Sequence, residues 1–305
     1  MNAKRATLRP TSAIVARTPR EDSPVRRAPL FRSIALLIWA ATLIGVFYGL
    51  SRLESLALAQ PSASPRIEWV DLPPWLTSPD WQEVLREVEA RVAFMPDDRV
   101  DDPELCRRVA EAIGSSPRVA SVERVWKRGD GLVRVKAAFR RPLALVAWRD
   151  TAHLVDEQGI RLPDQLTLAQ VNQERWYVVE GVRSPAPPGD GQTWPGEDLA
   201  AGLELVRFLR EAEFSGALPA PVRAVLRGVD VSQFSGDRIG GCLRIRTNNP
   251  RTYLQWGLPP GRGLGVEATA ERKIELLRAF FARSGGLPDV AFIDLRDERG
   301  VGLPK

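Results

Sequence analysis

The densest group of side chains that could bind a metal ion lies between residues 97 and 104. Its carboxylates belong to Asp97, Asp98, Asp101, Asp102 and Glu104. A calcium loop uses such oxygen ligands, but it also needs a glycine and a regular ligand spacing, and this segment has neither. The segment equally fits a helix start, with Asp102 as N-cap, Pro103 in the first turn and acids that favour the helix dipole. We therefore expect a helix from Glu104 to Ile113 and no metal site.

Other residues that could act as catalytic groups or metal ligands are few and scattered along the sequence. His153 is the only histidine, and its neighbourhood in the sequence contains neither a second histidine nor a cysteine to complete a metal site. Cys106 and Cys242 have the spacing of neither a redox pair nor a metal site, and whether they are free or paired stays open. The glycines of residues 261–265 lack the spacing of a dinucleotide loop, and there is no phosphate loop or serine nucleophile motif. We expect no catalytic residue, metal, cofactor or small-molecule substrate.

A run of uncharged, mostly apolar residues, 33–51, follows a basic tail. As a helix the run would be about 28 Å long, which matches the hydrocarbon core of a bilayer. The tail, residues 1–32, contains eight Lys or Arg against two acidic residues, and the remainder of the chain is nearly neutral. This asymmetry predicts a single-pass inner-membrane protein whose disordered tail stays in the cytoplasm and attracts anionic lipid. Since the net charge comes from the tail, we expect no nucleic-acid partner.

A cleaved signal peptide is the alternative to a permanent membrane anchor. Ala57-Leu58-Ala59 has the small residues of a cleavage site, and Arg26-Arg27 superficially resembles a twin-arginine signal. The long basic region and the long apolar run favour the anchor. A linker, residues 52–65, would then connect the anchor to folded parts outside the cytoplasm.

The folded part is predicted to be of the α+β class, with two domains. Residues 66–141 read as β-α-α-β-β: a strand at 67–70, helices that start near Pro79 and Pro103, and a hairpin around residues 129–131. Residues 142–305 are predicted to be a mixed β-rich domain with two helices. Its strands are expected at 143–148, 152–155, 176–180, 222–231, 242–247, 252–256 and 290–296, and its helices at 198–214 and 268–283. The last strand is expected at a sheet edge, and the eight tryptophans outside the span are interpreted mainly as core residues.

Several segments, in order, resemble the bacterial cell-division protein family FtsQ, also called DivIB. Residues 117–122 with Val125-Trp126 resemble its PWVASV…RWP hairpin entry, and residues 139–144 resemble its EHRPVA segment. Residues 154–159 match its LVDEQG turn. Residues 273–277 followed by 293–296 resemble its last helix and strand, with the DLR sequence intact.

The resemblance implies a polypeptide-transport-associated (POTRA) domain at 66–141 and an FtsQ-type β domain at 142–305. It implies a non-enzymatic scaffold of the division machinery, whose partners are membrane proteins like FtsB and FtsL and the septal wall-synthesis enzymes. A partner would add a strand to the edge of the last strand. The residues that would bind it are Phe292, Ile293, Asp294, Leu295, Arg296, Asp297, Arg299 and Gly300.

Two positions differ from the family pattern. Asp297 stands where family members often have an aromatic residue, and Arg140 replaces the usual acid before the Arg-Pro pair. Replacing Ile293 by proline would remove a ladder donor from the last strand if its N–H pairs there. Two other functions stay open: a POTRA-containing protein of another envelope assembly or export complex, and a membrane-anchored envelope enzyme without a recognisable motif.

Overall fold

A computed structural model describes most of the chain in two units, one ending at Ser62 and the other beginning at Ala63. The described residues are 28–59, 65–92, 102–128, 131–171, 175–236, 241–262, 265 and 267–301. The predicted tail up to residue 27, most of the acidic cluster and the tip of the predicted hairpin lie outside these ranges.

The first unit contains helix α1 (Ala28–Ala59). Within it, Ile34–Leu53 has a mean hydropathy of 2.0 and is long and apolar enough to cross a membrane, as a signal sequence near an N-terminus also can be. The helix is longer than the predicted span of 33–51: its first five residues belong to the tail that was predicted to be disordered, and its last eight replace part of the predicted linker. Leu, Ser, Glu and Ala continue a helix readily, and the next helix-breaking residue in the sequence is Pro61.

The first sheet of the second unit has three strands in the order β1-β3-β2, with β1 parallel and β2 antiparallel to β3. Two helices connect β1 to β2, so these elements follow one another as β-α-α-β-β. In chain order they are β1 (Arg66–Trp69), α2 (Gln82–Ala90), α3 (Leu105–Gly114), β2 (Val119–Lys127) and β3 (Leu132–Phe139).

Helix and strand periodicities place one apolar core between α2, α3 and this sheet. On α3, Leu105, Val109 and Ile113 recur every four residues and are at most 1% exposed. On β3, Val133 and Val135 alternate with outward-facing residues and are fully buried. Helix α3 begins one residue later than predicted, and Asp102 Oδ1 accepts a hydrogen bond from the Glu104 main-chain N–H at 2.9 Å.

The second sheet has eight strands in the order β11-β10-β9-β8-β7-β4-β5-β6. The strands are β4 (Pro142–Trp148), β5 (Thr151–Asp156), β6 (Arg161–Thr167), β7 (Val178–Glu180), β8 (Leu226–Asp230), β9 (Leu243–Thr247), β10 (Tyr253–Gly257) and β11 (Phe292–Asp294). The helices are α4 (Glu197–Phe214), α5 (Ala220–Arg223) and α6 (Ala270–Ser284). The largest core of the chain includes leucines of α4 and α6 and the fully buried Trp256 on β10.

The second sheet corrects three predictions from the sequence. β6 was not predicted, because Pro163 and the polar residues after it interrupt the alternation that marks a half-buried strand. Helix α5 is a third helix in a part predicted to have two, and it occupies the start of the strand predicted at 222–231, where Pro221 favours a first helical turn. The last strand is three residues long, not seven.

A buried arginine connects the two sheets. Arg118, in the turn before β2, donates to Glu87 on α2 at 2.7 Å and forms a two-pronged ion pair with Asp164 on β6 at 2.7 and 3.1 Å. Its side chain is 9% exposed. Burial acts to lower the pKa of Arg118, but the bonds from the two carboxylates outweigh it and raise the pKa. The guanidinium therefore stays charged and ties α2 to the second sheet.

Replacing Arg118 by methionine should lower the free energy of unfolding by about 2 kcal/mol, because two carboxylates lose a buried partner. Chemical denaturation of the full chain in detergent would measure the loss. Arg86→Met is the matched control, since Arg86 and Glu83 form an ion pair whose side chains are 68% and 78% exposed. Exposed pairs of this kind contribute about 0.5 kcal/mol. Equal losses in the two variants would contradict a structural role for Arg118.

Candidate functional site

The last strand, β11, forms one edge of the eight-stranded sheet. It runs parallel to β10, with Phe292 opposite Tyr253 and Asp294 opposite Gln255. The predicted edge position is confirmed. In the part of the chain that the structure describes, no strand pairs with the outer side of β11.

The direction of each main-chain group on β11 follows from its pairing with β10. Tyr253 N donates to Ala291 O at 3.4 Å, and Leu295 N donates to Gln255 O at 3.1 Å. In a strand, the main-chain N–H and C=O groups of every second residue point to the same side. The main-chain groups of Ile293 therefore face β10, and those of Phe292 and Asp294 face outward.

This geometry corrects the test that the sequence suggested. A proline at Ile293 would remove a donor that faces β10, so it would weaken the sheet itself. A proline at Asp294 would instead remove an outward N–H and leave the inward pairing in place. Only the second substitution isolates the outer edge.

The side chains of β11 and of the residue after it divide between the core and the opposite face of the sheet. Ile293 and Leu295 are fully buried. Phe292 stacks on Tyr253 with ring centroids 6.0 Å apart, and the Arg244 guanidinium lies 4.5 Å from the Tyr253 ring centre. The buried pair anchors the edge strand, and the aromatic pair gives it an apolar contact surface beside the outward main-chain groups.

Asp294 and Arg296 form a clasp at the end of the strand. Arg296 Nη2 lies 2.6 Å from Asp294 Oδ2, and its main-chain N–H donates to Asp294 Oδ1 at 3.0 Å. Burial acts to raise the pKa of Asp294, but the bonds from Arg296 outweigh it and hold the pKa below its ordinary value. Arg296 O in turn accepts from Ala268 N at 2.8 Å. The clasp thus fixes the chain where it leaves the sheet.

The clasp should make part of the stability depend on pH. Because the folded-state pKa of Asp294 is lowered, its contribution is complete above the unfolded value of 3.8 and is lost as the pH falls through the folded value. Asp294→Asn should therefore cost about 1 kcal/mol at neutral pH and progressively less below pH 3.8. Denaturant titrations at several pH values would measure this, and a cost that stays constant into acid would contradict the clasp.

The resemblance implied that Asp297, Arg299 and Gly300 continue the last strand, but β11 ends at Asp294 and they do not. Asp297 Oδ1 accepts from Arg299 N at 2.9 Å, and Asp297 O accepts from Gly300 N at 3.4 Å, so these residues form a turn. Of the eight predicted binding residues, three lie on β11, two lie directly after it and three lie in this turn. Only the main-chain groups of Phe292 and Asp294 face outward from the sheet edge, while the side chains of Ile293 and Leu295 are buried.

The opposite edge of the sheet, β6, is partly covered. Ile160, just before β6, forms an isolated bridge with Thr193, and Arg161 exchanges main-chain hydrogen bonds with residues 191 and 192 at 2.7 and 2.9 Å. Pro163 has no N–H to offer an added strand. Natural sheets protect edges in these ways, and β11 lacks such cover within the described residues.

The other residues that could act as catalytic groups or metal ligands lie far apart in the fold. His153 is 5% exposed on β5, with Nε2 at 3.1 Å from Thr151 Oγ1, and burial lowers its pKa. Cys106 and Cys242 are both free thiols. Among the described residues, no three His, Cys, Asp or Glu side chains form a group that could hold a metal ion.

The interpretation of the tryptophans as core residues holds for some of them. Trp194 and Trp256 are 3% and 0% exposed. Trp75, Trp81 and Trp176 are only half-buried and line a cleft together with several arginines. The number of tryptophans could suggest a carbohydrate or peptide groove, but the position of this cleft could not be predicted, because its residues come from segments about a hundred positions apart.

No family model matches the chain, and no curated protein matches it at a significant level.

Proposed function

We propose that the protein is a membrane-anchored, non-enzymatic scaffold of the bacterial division machinery, of the FtsQ/DivIB type. α1 would be the anchor, with the basic tail in the cytoplasm and residues 66–305 outside the inner membrane. The β-α-α-β-β part would be a POTRA domain, and the eight-stranded sheet would belong to the partner-binding domain. FtsB- and FtsL-like membrane proteins and septal wall-synthesis enzymes would be its partners.

The observation that carries this proposal is the outer edge of β11. A partner segment could extend the sheet by pairing its main chain with the outward groups of Phe292 and Asp294. Buried Ile293 and Leu295 hold the strand in place, so binding would need little ordering of β11 itself. The Phe292–Tyr253 stack would supply an apolar contact for alternate side chains of the added strand.

The ordered sequence motifs support the division role specifically. Residues 117–122 and 139–144 surround the first hairpin and the entry into β4, and residues 154–159 form the turn between β5 and β6. In that turn Asp156, 1% exposed, accepts from the main-chain N–H groups of Gln158 and Ile160 at 2.9 and 2.8 Å. Arg140 donates to the same carboxylate at 3.1 Å.

Cellular location tests the proposal. A fluorescent protein fused to the N-terminus of the full chain, expressed in the organism it comes from, should concentrate at the division site. Depletion of the protein should produce long, undivided cells. An even distribution around the envelope, together with normal division after depletion, would overturn the proposed role.

A further inference from the structure

A second surface, separate from β11, combines aromatic and cationic side chains. It is a cleft of about 430 Å³. Its lining residues include four aromatic side chains, four arginines and two glutamates; the aromatic residues are Trp75, Trp81, Trp176 and Phe214. The lining residues come from the turn and the 3₁₀ helix before α2, the start of β4, the turn between β5 and β6, the approach to β7 and the last two turns of α4.

Three tryptophans form the aromatic part of the cleft in a continuous row. Trp75 and Trp81 meet edge to face at 5.6 Å between ring centroids, and Trp81 meets Trp176 in the same way at 6.3 Å. All three are half-buried, so each presents part of its ring to the cleft. Trp is among the residues that contribute most to protein interfaces.

Arginine side chains lie over two of these rings, Trp81 and Trp176. The Arg175 guanidinium lies 5.4 Å from the Trp81 ring and 5.6 Å from the Trp176 ring, and that of Arg210 lies 5.7 Å from the Trp176 ring. A guanidinium stacked on an aromatic ring still has N–H donors at its edge, which suit carboxylates. The guanidinium groups over Trp81 and Trp176 limit stacking of a sugar ring on these two tryptophans, and their N–H donors favour a carboxylate instead.

The charge of the cleft is positive, since four arginines face two glutamates. Arg141 is exposed and has no ion-pair partner among the described residues, and Arg207 has only a 3.9 Å contact with Glu211. Burial lowers the pKa of Arg210, the negative charge of Glu213 opposes this shift, and the positive charges of Arg223 and Arg141 add to it. An anionic ligand would relieve the repulsion among these guanidinium groups.

Phe214 completes the surface at the end of α4. It is 97% exposed, the most exposed large apolar side chain in the described part of the chain. An exposed aromatic ring beside a Trp- and Arg-lined cleft is typical of a protein-binding surface.

We propose that this cleft binds an acidic peptide segment of a partner protein. Carboxylates of the segment would reach Arg141, Arg207 and Arg210, and an apolar side chain would pack between Phe214 and Trp75. No residue of β11 lines the cleft, so this site and the strand-addition site can be tested separately.

Fluorescence anisotropy with the full-length protein in lipid nanodiscs would test the proposal. The probe is a short labelled peptide in which glutamates flank a central Leu-Phe pair, and its partner probe has glutamine at every glutamate. The glutamate peptide should bind and the glutamine peptide should bind at least tenfold more weakly. Binding should weaken further as salt is added.

The double variant Arg141→Glu/Arg207→Glu should reduce binding of the glutamate peptide about tenfold or more, and Phe214→Ser should also weaken it. Arg251→Glu/Arg278→Glu, exposed residues outside the cleft, changes the net charge equally and should bind like the native protein. Equal affinity for both peptides, undiminished binding by the first double variant, or binding of a soluble wall glycan in place of the peptide would overturn the proposal.

Discussion

Replacing Asp294 by proline is expected to abolish capture of partner proteins while the second sheet stays folded. The outward N–H of Asp294 would pair with an added strand, and proline both removes this donor and places its ring in the path of the partner. Ile293, which precedes it, already has the extended conformation that a following proline requires. Co-purification from membranes, quantified by mass spectrometry, should show at least a tenfold loss, the size of one lost hydrogen bond plus the steric block.

Asp294→Ala is the matched control for this variant. It removes the carboxylate and the clasp with Arg296 but keeps the main-chain donor, so most partner capture should remain. Similar losses in both variants would show that the side chain, not the main-chain edge, recognises the partner. Full capture by the proline variant would exclude strand addition at β11.

Replacing Glu267 by leucine is expected to destabilise the second unit by about 3 kcal/mol, since the ammonium of Lys273 would be left buried without its partner. Lys273 is 2% exposed and donates to Glu267 Oε2 at 2.8 Å and to Trp256 O at 2.6 Å. Glu267 also accepts from Leu258 N at 3.1 Å. Gly257, with φ +93°, leaves the space that Glu267 occupies, because a Cβ there would collide with its carboxylate.

Thermal unfolding would measure this loss as a fall in Tm of roughly 6–12 °C. Burial lowers the pKa of Lys273 below its ordinary value of 10.5, and Glu267 partly opposes this shift, so Glu267→Leu should lower that pKa further. The folded variant then loses the proton of Lys273 at a lower pH than the native protein does, and its stability rises with pH more than that of the native protein. The deficit of Glu267→Leu should accordingly shrink as the pH rises towards 10.5. The double variant Lys273→Met/Glu267→Leu should recover most of the stability. Glu275→Leu is the control, because Glu275 belongs to an exposed ion pair on α6, the helix that contains Lys273. An unchanged Tm in Glu267→Leu would contradict the structural role of the pair.

This ion pair also bears on the proposed site. Glu267 precedes Ala268, whose N–H holds the main chain of Arg296 just beyond β11. Loss of the pair should therefore loosen the end of the edge strand as well as the core. Reduced partner capture by Glu267→Leu, restored in the double variant, is the expected consequence.

Local patterns in the sequence predicted the elements whose burial is periodic. Val133 and Val135 alternate on β3, and Leu105, Val109 and Ile113 follow a helical spacing on α3, so both elements were recognisable. β6 was not, because an edge strand that contains Pro163 and polar residues has no alternating pattern. α5 is too short to show a period.

The position of the candidate site at a sheet edge could be predicted from the sequence, but the direction of its main-chain groups could not. An apolar run near the end of the chain predicted an edge strand, and β11 lies there. Its register with β10 depends on contacts between residues about forty positions apart, so the inward direction of Ile293 and the outward direction of Asp294 required the structure. The cleft lined by Trp and Arg could not be predicted from the sequence for the same reason, because Trp75, Trp176 and Phe214 come together only in the folded chain.

Site-specific photocrosslinking in dividing cells would identify the proteins that contact the outer edge of β11. A photoreactive amino acid would replace Phe292 or Asp297 at the β11 edge, and Thr167 at the opposite edge of the sheet would serve as the control. Adducts with small single-span membrane proteins of the division machinery are expected from the two β11 positions, and none from Thr167. Adducts from Thr167 alone, or none from either β11 position in cells that divide normally, would contradict partner binding at β11.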